Sequence, residues 1–274
     1  MAIRIMLDAG HYAKYNHSPV LASYWESEIM WALHLDLKRE LESFGFEVFT
    51  TRDREETDLA VYERGRKAKG CDLFLSLHSN AANAESVNRV TVYRAFDNRN
   101  DADELAGRFA AGIAELMQVS GGYIATREST EHPGTEYYGV MRGARKENVP
   151  LYYIIEHGFH TNLYCARWLS EDTNRKKLAR LEAEIIAGFY GVLPKEPIRP
   201  GNGDLNGDGK VNAIDYLLVK AAVLGMVRLG EEQKAAADVN GDGSVDAIDY
   251  SMIKRAVLGT FTLPGRTATE KKQR

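Results

Sequence analysis

Met1-Ala2-Ile3-Arg4-Ile5-Met6-Leu7-Asp8-Ala9-Gly10-His11 decides how the first two-thirds of the chain is read. An apolar run with β-favouring isoleucines, closed by an acid, a glycine and a histidine, has the pattern of a buried strand with polar groups at its carboxyl end. Residues 47–50, 72–77, 89–94 and 151–156 repeat the pattern. Between them, residues 27–44, 101–117 and 175–190 carry helical spacing, and Met30, Leu33, Leu37, Leu41 and Phe44 form one apolar stripe. Strands alternating with amphipathic helices predict an α/β domain with a mostly parallel, helix-covered sheet.

Composition bounds the rest. The 274 residues suffice for two units, and 44% hydrophobic with 27% charged residues is an ordinary globular balance. A formal charge of −4 gives no electrostatic footprint for nucleic acid, and no apolar run could span a bilayer. The first residues lack a basic region followed by an apolar core, so synthesis in the cytoplasm without a signal peptide is expected. Cys71 and Cys165 cannot build a disulfide framework, and Cys71, opening an apolar strand, reads as a buried thiol.

Three prolines and two glycines within residues 194–203 mark a linker. It separates a catalytic domain (1–193) from a smaller all-α module of two loop–helix repeats (204–262), and a basic tail (263–274) is expected to be disordered. The module repeats itself at an offset of 238 − 204 = 34 residues. Asp204, Asn206, Asp208, Asn212 and Asp215 occupy positions 1, 3, 5, 9 and 12 of a twelve-residue loop, with Lys210 offering a backbone carbonyl. Asp238, Asn240, Asp242, Asp246 and Asp249 do the same in the second copy, with Ser244 at the carbonyl position. Oxygen donors at this spacing suit one calcium ion per loop.

This pair resembles a type I dockerin, a tandem of EF-type calcium loops that docks onto a cohesin domain. The resemblance implies that loop positions 10 and 11, here Ala213-Ile214 and Ala247-Ile248, touch the partner. Packing of both isoleucines inside the module is the competing reading. Binding to a cell-wall polymer, or self-association, are alternatives to a cohesin.

In the catalytic domain, His11 and His78 stand at strand ends, where ligand sites of α/β sheets gather. Glu26 prolongs the apolar stripe of the first long helix backwards by one turn. A His₂Glu set leaving one position for water is the arrangement of a catalytic zinc. Glu156 closes an apolar strand and is the candidate general base and acid. Asn80, His157 and His160 are candidates for substrate contact, and the two histidines alternatively for oxyanion stabilisation or a fourth ligand.

Asp8-Ala9-Gly10-His11, Glu26, Thr51-Arg52, Ser76-Leu77-His78-Ser79-Asn80 and Glu156-His157-Gly158-Phe159-His160-Thr161-Asn162 follow one another in the order found in the zinc N-acetylmuramoyl-L-alanine amidases of the amidase-3 type. Residues 1–192 resemble that family. The resemblance implies zinc on His11, Glu26 and His78, proton transfer by Glu156, and cleavage of the bond joining N-acetylmuramic acid to L-alanine in peptidoglycan. The 156–160 motif looks closest to clostridial phage endolysins, which implies release to the wall with a holin. A wall-tethered or cellulosome-type autolysin, a zinc peptidase acting within the stem peptide, and a binding module without catalysis are the other readings.

Overall fold

The computed structural model describes residues 2–97, 99–192, 200–207 and 209–263. The tail from 264, the 193–199 stretch and Asp208 lie outside them. The chain divides into two compact units, Met1–Leu193 and Pro194–Arg274.

The first unit is one six-stranded sheet, in the order β2-β1-β3-β6-β4-β5, built from β1 (Arg4–Ala9), β2 (Glu47–Thr50), β3 (Leu73–Asn80), β4 (Val90–Tyr93), β5 (Gly122–Ala125) and β6 (Leu151–Phe159). Strands β2, β1, β3 and β6 are mutually parallel, while β4 runs antiparallel to β6 and carries β5 parallel to itself. Four neighbouring carboxyl ends therefore point the same way, and polar residues at those ends can converge.

Alternation along each strand sorts the side chains into two layers. Ile5, Leu7, Leu73, Leu75, Leu77, Tyr153 and Ile155 pack with helices α1 (Glu26–Ser43), α3 (Ala102–Met117), α5 (Leu163–Ser170) and α6 (Asp172–Tyr190). Met6, Phe74, Tyr152 and Ile154 face the smaller layer formed with α4 (Gly139–Lys146), which packs on the short helix α2 (Val61–Arg66). The stripe of Met30, Leu33, Leu37 and Leu41 on α1 is fully buried. Glycine permits the α2–α4 crossing: a Cβ on Gly65 would lie 1.9 Å from the Val140 carbonyl oxygen, and one on Gly143 would lie 2.1 Å from that of Tyr62.

The second unit contains α7 (Ala213–Val223), α8 (Glu231–Ala237) and α9 (Ala247–Val257). Its core is small, formed by Leu205, Val219, Leu229, Ala237, Val239, Ile253 and Leu263. The two copies clasp through Tyr216 and Tyr250, whose hydroxyls are 2.8 Å apart and whose rings stack. Gly201 and Gly203 donate backbone hydrogen bonds to Ala235 and Ala236. The last residues of the expected linker are thus fastened to α8, and Leu263 belongs to the core rather than to a tail.

Candidate metal centre and catalytic carboxylate

His11, Glu26 and His78 come together at the carboxyl edge of the sheet, with one ligand-type atom from each lying within 4.8 Å of the others. His78 lies in β3, two residues before its end, His11 follows β1, and Glu26 is the first residue of α1. Glu26 is 1% exposed, with Oε1 facing His78 Nδ1 at 3.0 Å and Oε2 facing His11 Nε2 at 3.3 Å. Burial alone would raise its pKa, but the hydrogen bonds and charges of the two histidines outweigh that and hold the carboxyl well below the usual range.

The surroundings select which nitrogen of His78 is the candidate ligand. Asp8 is buried and accepts hydrogen bonds from Thr51 Oγ1 at 2.6 Å and Ser76 Oγ at 2.8 Å. Having donated its only proton to Asp8, the Ser76 hydroxyl can only accept from His78 Nε2, 3.2 Å away. Nδ1 then faces a carboxylate oxygen at 3.0 Å, a contact that either a proton on Nδ1 or a shared metal ion would satisfy. The donor set and this paired geometry fit a zinc ion. Gly10 completes the arrangement by absence: a Cβ there would lie 2.5 Å from His78 Cε1.

Asn16 was not among the residues singled out by sequence. Its Nδ2 lies 2.6 Å from Glu26 Oε2 and 3.1 Å from His11 Nε2. It sits in a loop where His11, Ala13 and Asn16 all adopt left-handed backbone (φ 59°, 46° and 53°). No helical or alternating pattern marks such a loop, so nothing in the spacing of residues flags it.

Glu156 stands opposite His78 in the β3–β6 register. Its Oε2 is enclosed and has no hydrogen-bond partner. Burial first, and the negative Glu26 second, push its pKa up to about 8. A buried carboxylate oxygen left unpaired beside a metal-type cluster is a cost to folding, and such costs gather at reacting centres.

The three candidates for substrate contact separate. His157 is fully buried on the opposite face of the sheet from Glu156, with Nε2 2.8 Å from Glu182 Oε1 on α6 and Nδ1 3.0 Å from the His78 carbonyl oxygen. Substrate contact or metal ligation by His157 is corrected accordingly: strand alternation turns the residue after Glu156 into the core. His160 is 4% exposed and underlies the cluster, with Nδ1 3.9 Å from Glu26 Oε2 and 3.1 Å from Ser79 Oγ. Asn80 ends β3, where its Oδ1 accepts from the Ala81 amide.

In the second unit both loops fold around their own carboxylates. Asp215 is buried and accepts from the amides of Leu205, Asn206 and Asn212, while Asp204 accepts from Gly207 and Gly209. Asp249 and Asp238 repeat this with Val239, Asn240, Asp246, Gly241 and Gly243. Asn212 and Asp246 cap α7 and α9. Acidic, oxygen-rich loops of this kind fit calcium. Ala213 and Ala247 are exposed, and Ile214 and Ile248 are each 54% exposed, so the isoleucines do not pack inside the module.

An α/β sheet with a His₂Glu cluster at its carboxyl edge fits a metal-dependent hydrolase. Residues 5–187 match the family model of N-acetylmuramoyl-L-alanine amidases, and residues 202–258 match the type I dockerin domain. The chain belongs to that amidase family and carries a C-terminal type I dockerin domain. Among solved structures it is similar to Cwp6 from Clostridium difficile, at 24% identity and a TM-score of 0.61, over 69% of this chain and 29% of that one. It is also similar to the catalytic domain of CwlV from Bacillus (Paenibacillus) polymyxa var. colistinus (20% identity, TM-score 0.58, 70% of this chain and 99% of that one). AmiC2 of Nostoc punctiforme is another such neighbour (20%, 0.56, 69% and 97%). At these identities the likeness is one of fold. The chain spans under a third of the length of Cwp6 but nearly all of the other two. No curated protein sequence matches it significantly. Among the described residues, no helix is long and apolar enough to cross a membrane.

Proposed function

We propose that the first unit is a zinc-dependent hydrolase of peptidoglycan, cutting the amide between N-acetylmuramic acid and L-alanine. The observation carrying this is the convergence of His11, Glu26 and His78 beside a half-buried Glu156 whose enclosed Oε2 lacks a partner. Zinc held by the three residues supplies Lewis acidity, polarising the amide carbonyl and acidifying a water molecule. Glu156 Oε2 takes a proton from the attacking water and returns it to the departing amine of L-alanine as the C–N bond breaks. Ser76 and Asp8 keep His78 in the ligand tautomer, and His160, with Ser79, supports Glu26 from beneath.

The second unit, loaded with two calcium ions on the Asp204–Asp215 and Asp238–Asp249 loops, tethers the enzyme. The exposed Ile214 and Ile248 favour an apolar protein partner of the cohesin kind over a cell-wall polymer. A tethered autolysin fits this module better than a freely released endolysin. Metal analysis of the full chain tests the zinc assignment. One zinc per chain is expected, lost in His78→Ala together with solubilisation of labelled walls; wall release that persists in zinc-free protein would overturn it.

A further inference from the structure

Glu156 on β6, His78 on β3 and His11 just after β1 stand in that order along the carboxyl edge of the sheet, and the order gives a bound substrate its direction. A carboxylate that hands a proton to a departing amine has to lie beside that nitrogen. The stem peptide therefore leaves past Glu156. The acyl half, with its lactyl group and sugar, extends the other way, over His78 toward β1. On that side a cleft opens, lined by His11, Tyr12, Tyr15, Asp58, Val61 and Val140.

One wall of the cleft is aromatic. Tyr15 stacks on His11 with ring centroids 4.8 Å apart and planes 11° apart, and Tyr12 lies 6.2 Å from Tyr15 at 28°. Tyr15 is 48% exposed, so much of its ring is open to solvent. Its backbone is fastened to the first turn of α1: Tyr15 N–H donates to Ser27 Oγ at 2.9 Å, and its carbonyl accepts from Ser27 N–H at 3.4 Å. An exposed ring held in place by its backbone is a preorganised platform, and the flat C–H face of a pyranose suits it. The rim of the cleft is acidic. Ala13 N–H donates to the Glu55 carbonyl at 3.1 Å, which ties the segment holding Glu55, Glu56 and Asp58 to the tyrosine loop. Burial, then Glu28 and Glu56, push the Glu55 carboxyl up, the mark of negative charge crowded together. A neutral sugar tolerates that charge, whereas a stem peptide with free carboxylates is repelled by it.

We infer that Tyr15, flanked by Tyr12, is the specificity-determining platform for the N-acetylmuramic acid ring, so that the substrate lies with its sugar on the β1 side and its stem peptide past Glu156. This rests on the amidase reading of the first unit and gives it a polarity. The platform also separates this enzyme from one acting inside the stem peptide. A substrate with peptide on both sides of the cut would set its carboxylates against the acidic rim and leave the tyrosines without a sugar to carry.

The test uses the full chain with calcium and zinc saturating, in a Glu156→Gln background that binds without cutting. Two probes are titrated by calorimetry. One is the peptide-free disaccharide of N-acetylglucosamine and N-acetylmuramic acid with its lactyl group capped as a methylamide; the other is the free stem peptide beginning at L-alanine. Tyr15→Ala should weaken disaccharide binding about tenfold and leave peptide binding unchanged, while Tyr15→Phe, which keeps the ring, retains both. Weakened peptide binding with the disaccharide unaffected would reverse the polarity and overturn the proposal. Loss of both together would make Tyr15 a support for His11 and overturn it equally, as would disaccharide binding that is unaffected by Tyr15→Ala or absent from the parent. If the disaccharide behaves as expected but chains with Glu156 intact free no L-alanine amino termini from walls, the platform stands and it is the amidase reading that fails.

Discussion

The two units hold their metal-binding residues in opposite ways. In the catalytic unit the candidate ligands lie far apart in sequence, at residues 11, 26 and 78, and only the folded sheet and α1 bring them together. In the dockerin unit the candidate ligands of one ion lie within twelve consecutive residues, and the carboxylates already fasten their own loop through backbone amides. The first site is assembled by a large core. The second sits on a small core around Leu205, Val219, Val239 and Ile253, and on the proposed calcium assignment ion binding supplies part of its folding free energy. Distance in sequence therefore separates a site that folding makes from a site that makes folding.

The sharpest way to break this contrast is at Glu156. Glu156→Gln keeps shape and the metal ligands but removes proton transfer, so wall-hydrolysing activity should fall by about a hundred- to ten-thousand-fold with zinc content unchanged. Activity within a few-fold of wild type would remove Glu156 from the chemistry. Calcium withdrawal, with zinc supplied, should abolish the melting transition of the C-terminal unit and leave that of the catalytic unit in place. A single unchanged profile would show that the small core stands without ions.

A smaller effect is expected one shell out. Ser76→Ala deprives His78 Nε2 of its acceptor, and zinc affinity should weaken by about ten- to a hundred-fold. An unaltered dissociation constant would mean that Asp8 and Ser76 do not orient the ligand. The smallest is a gain. By removing a carboxylate charge that burial and Glu26 disfavour, Glu156→Gln should raise the melting temperature of the catalytic unit above pH 8 by about 2–4 °C per kcal/mol recovered, visible by calorimetry. A lower melting temperature would contradict the reading of Glu156 as stability sacrificed for function.

Much of the site was legible because strong patterns carried it. Strand ends placed His11, His78 and Glu156, and helical periodicity reached back along α1 to Glu26. What escaped had physical reasons. Helix α2 is six residues long and contains Gly65, which reads as a breaker until the close crossing with α4 explains it. Strand β5 leaves Tyr123 and Ile124 half exposed at the sheet edge, so it lacks the buried run that marked the others. His157 was misjudged although its position was legible: period-two alternation puts it on the face opposite Glu156. Asn16 reaches Glu26 and His11 from a loop of left-handed residues, and only the folded chain reveals what such a loop brings together.

The central claim is that the catalytic unit cleaves one bond, between N-acetylmuramic acid and L-alanine. Mass spectrometry of purified peptidoglycan digested by the zinc-loaded full chain tests it most directly. The predicted products are glycan strands with free lactyl carboxylates and stem peptides with free L-alanine amino termini, with no such release by Glu156→Gln. New amino termini inside the stem peptide, or shortened glycan strands with the lactyl amide intact, would contradict it.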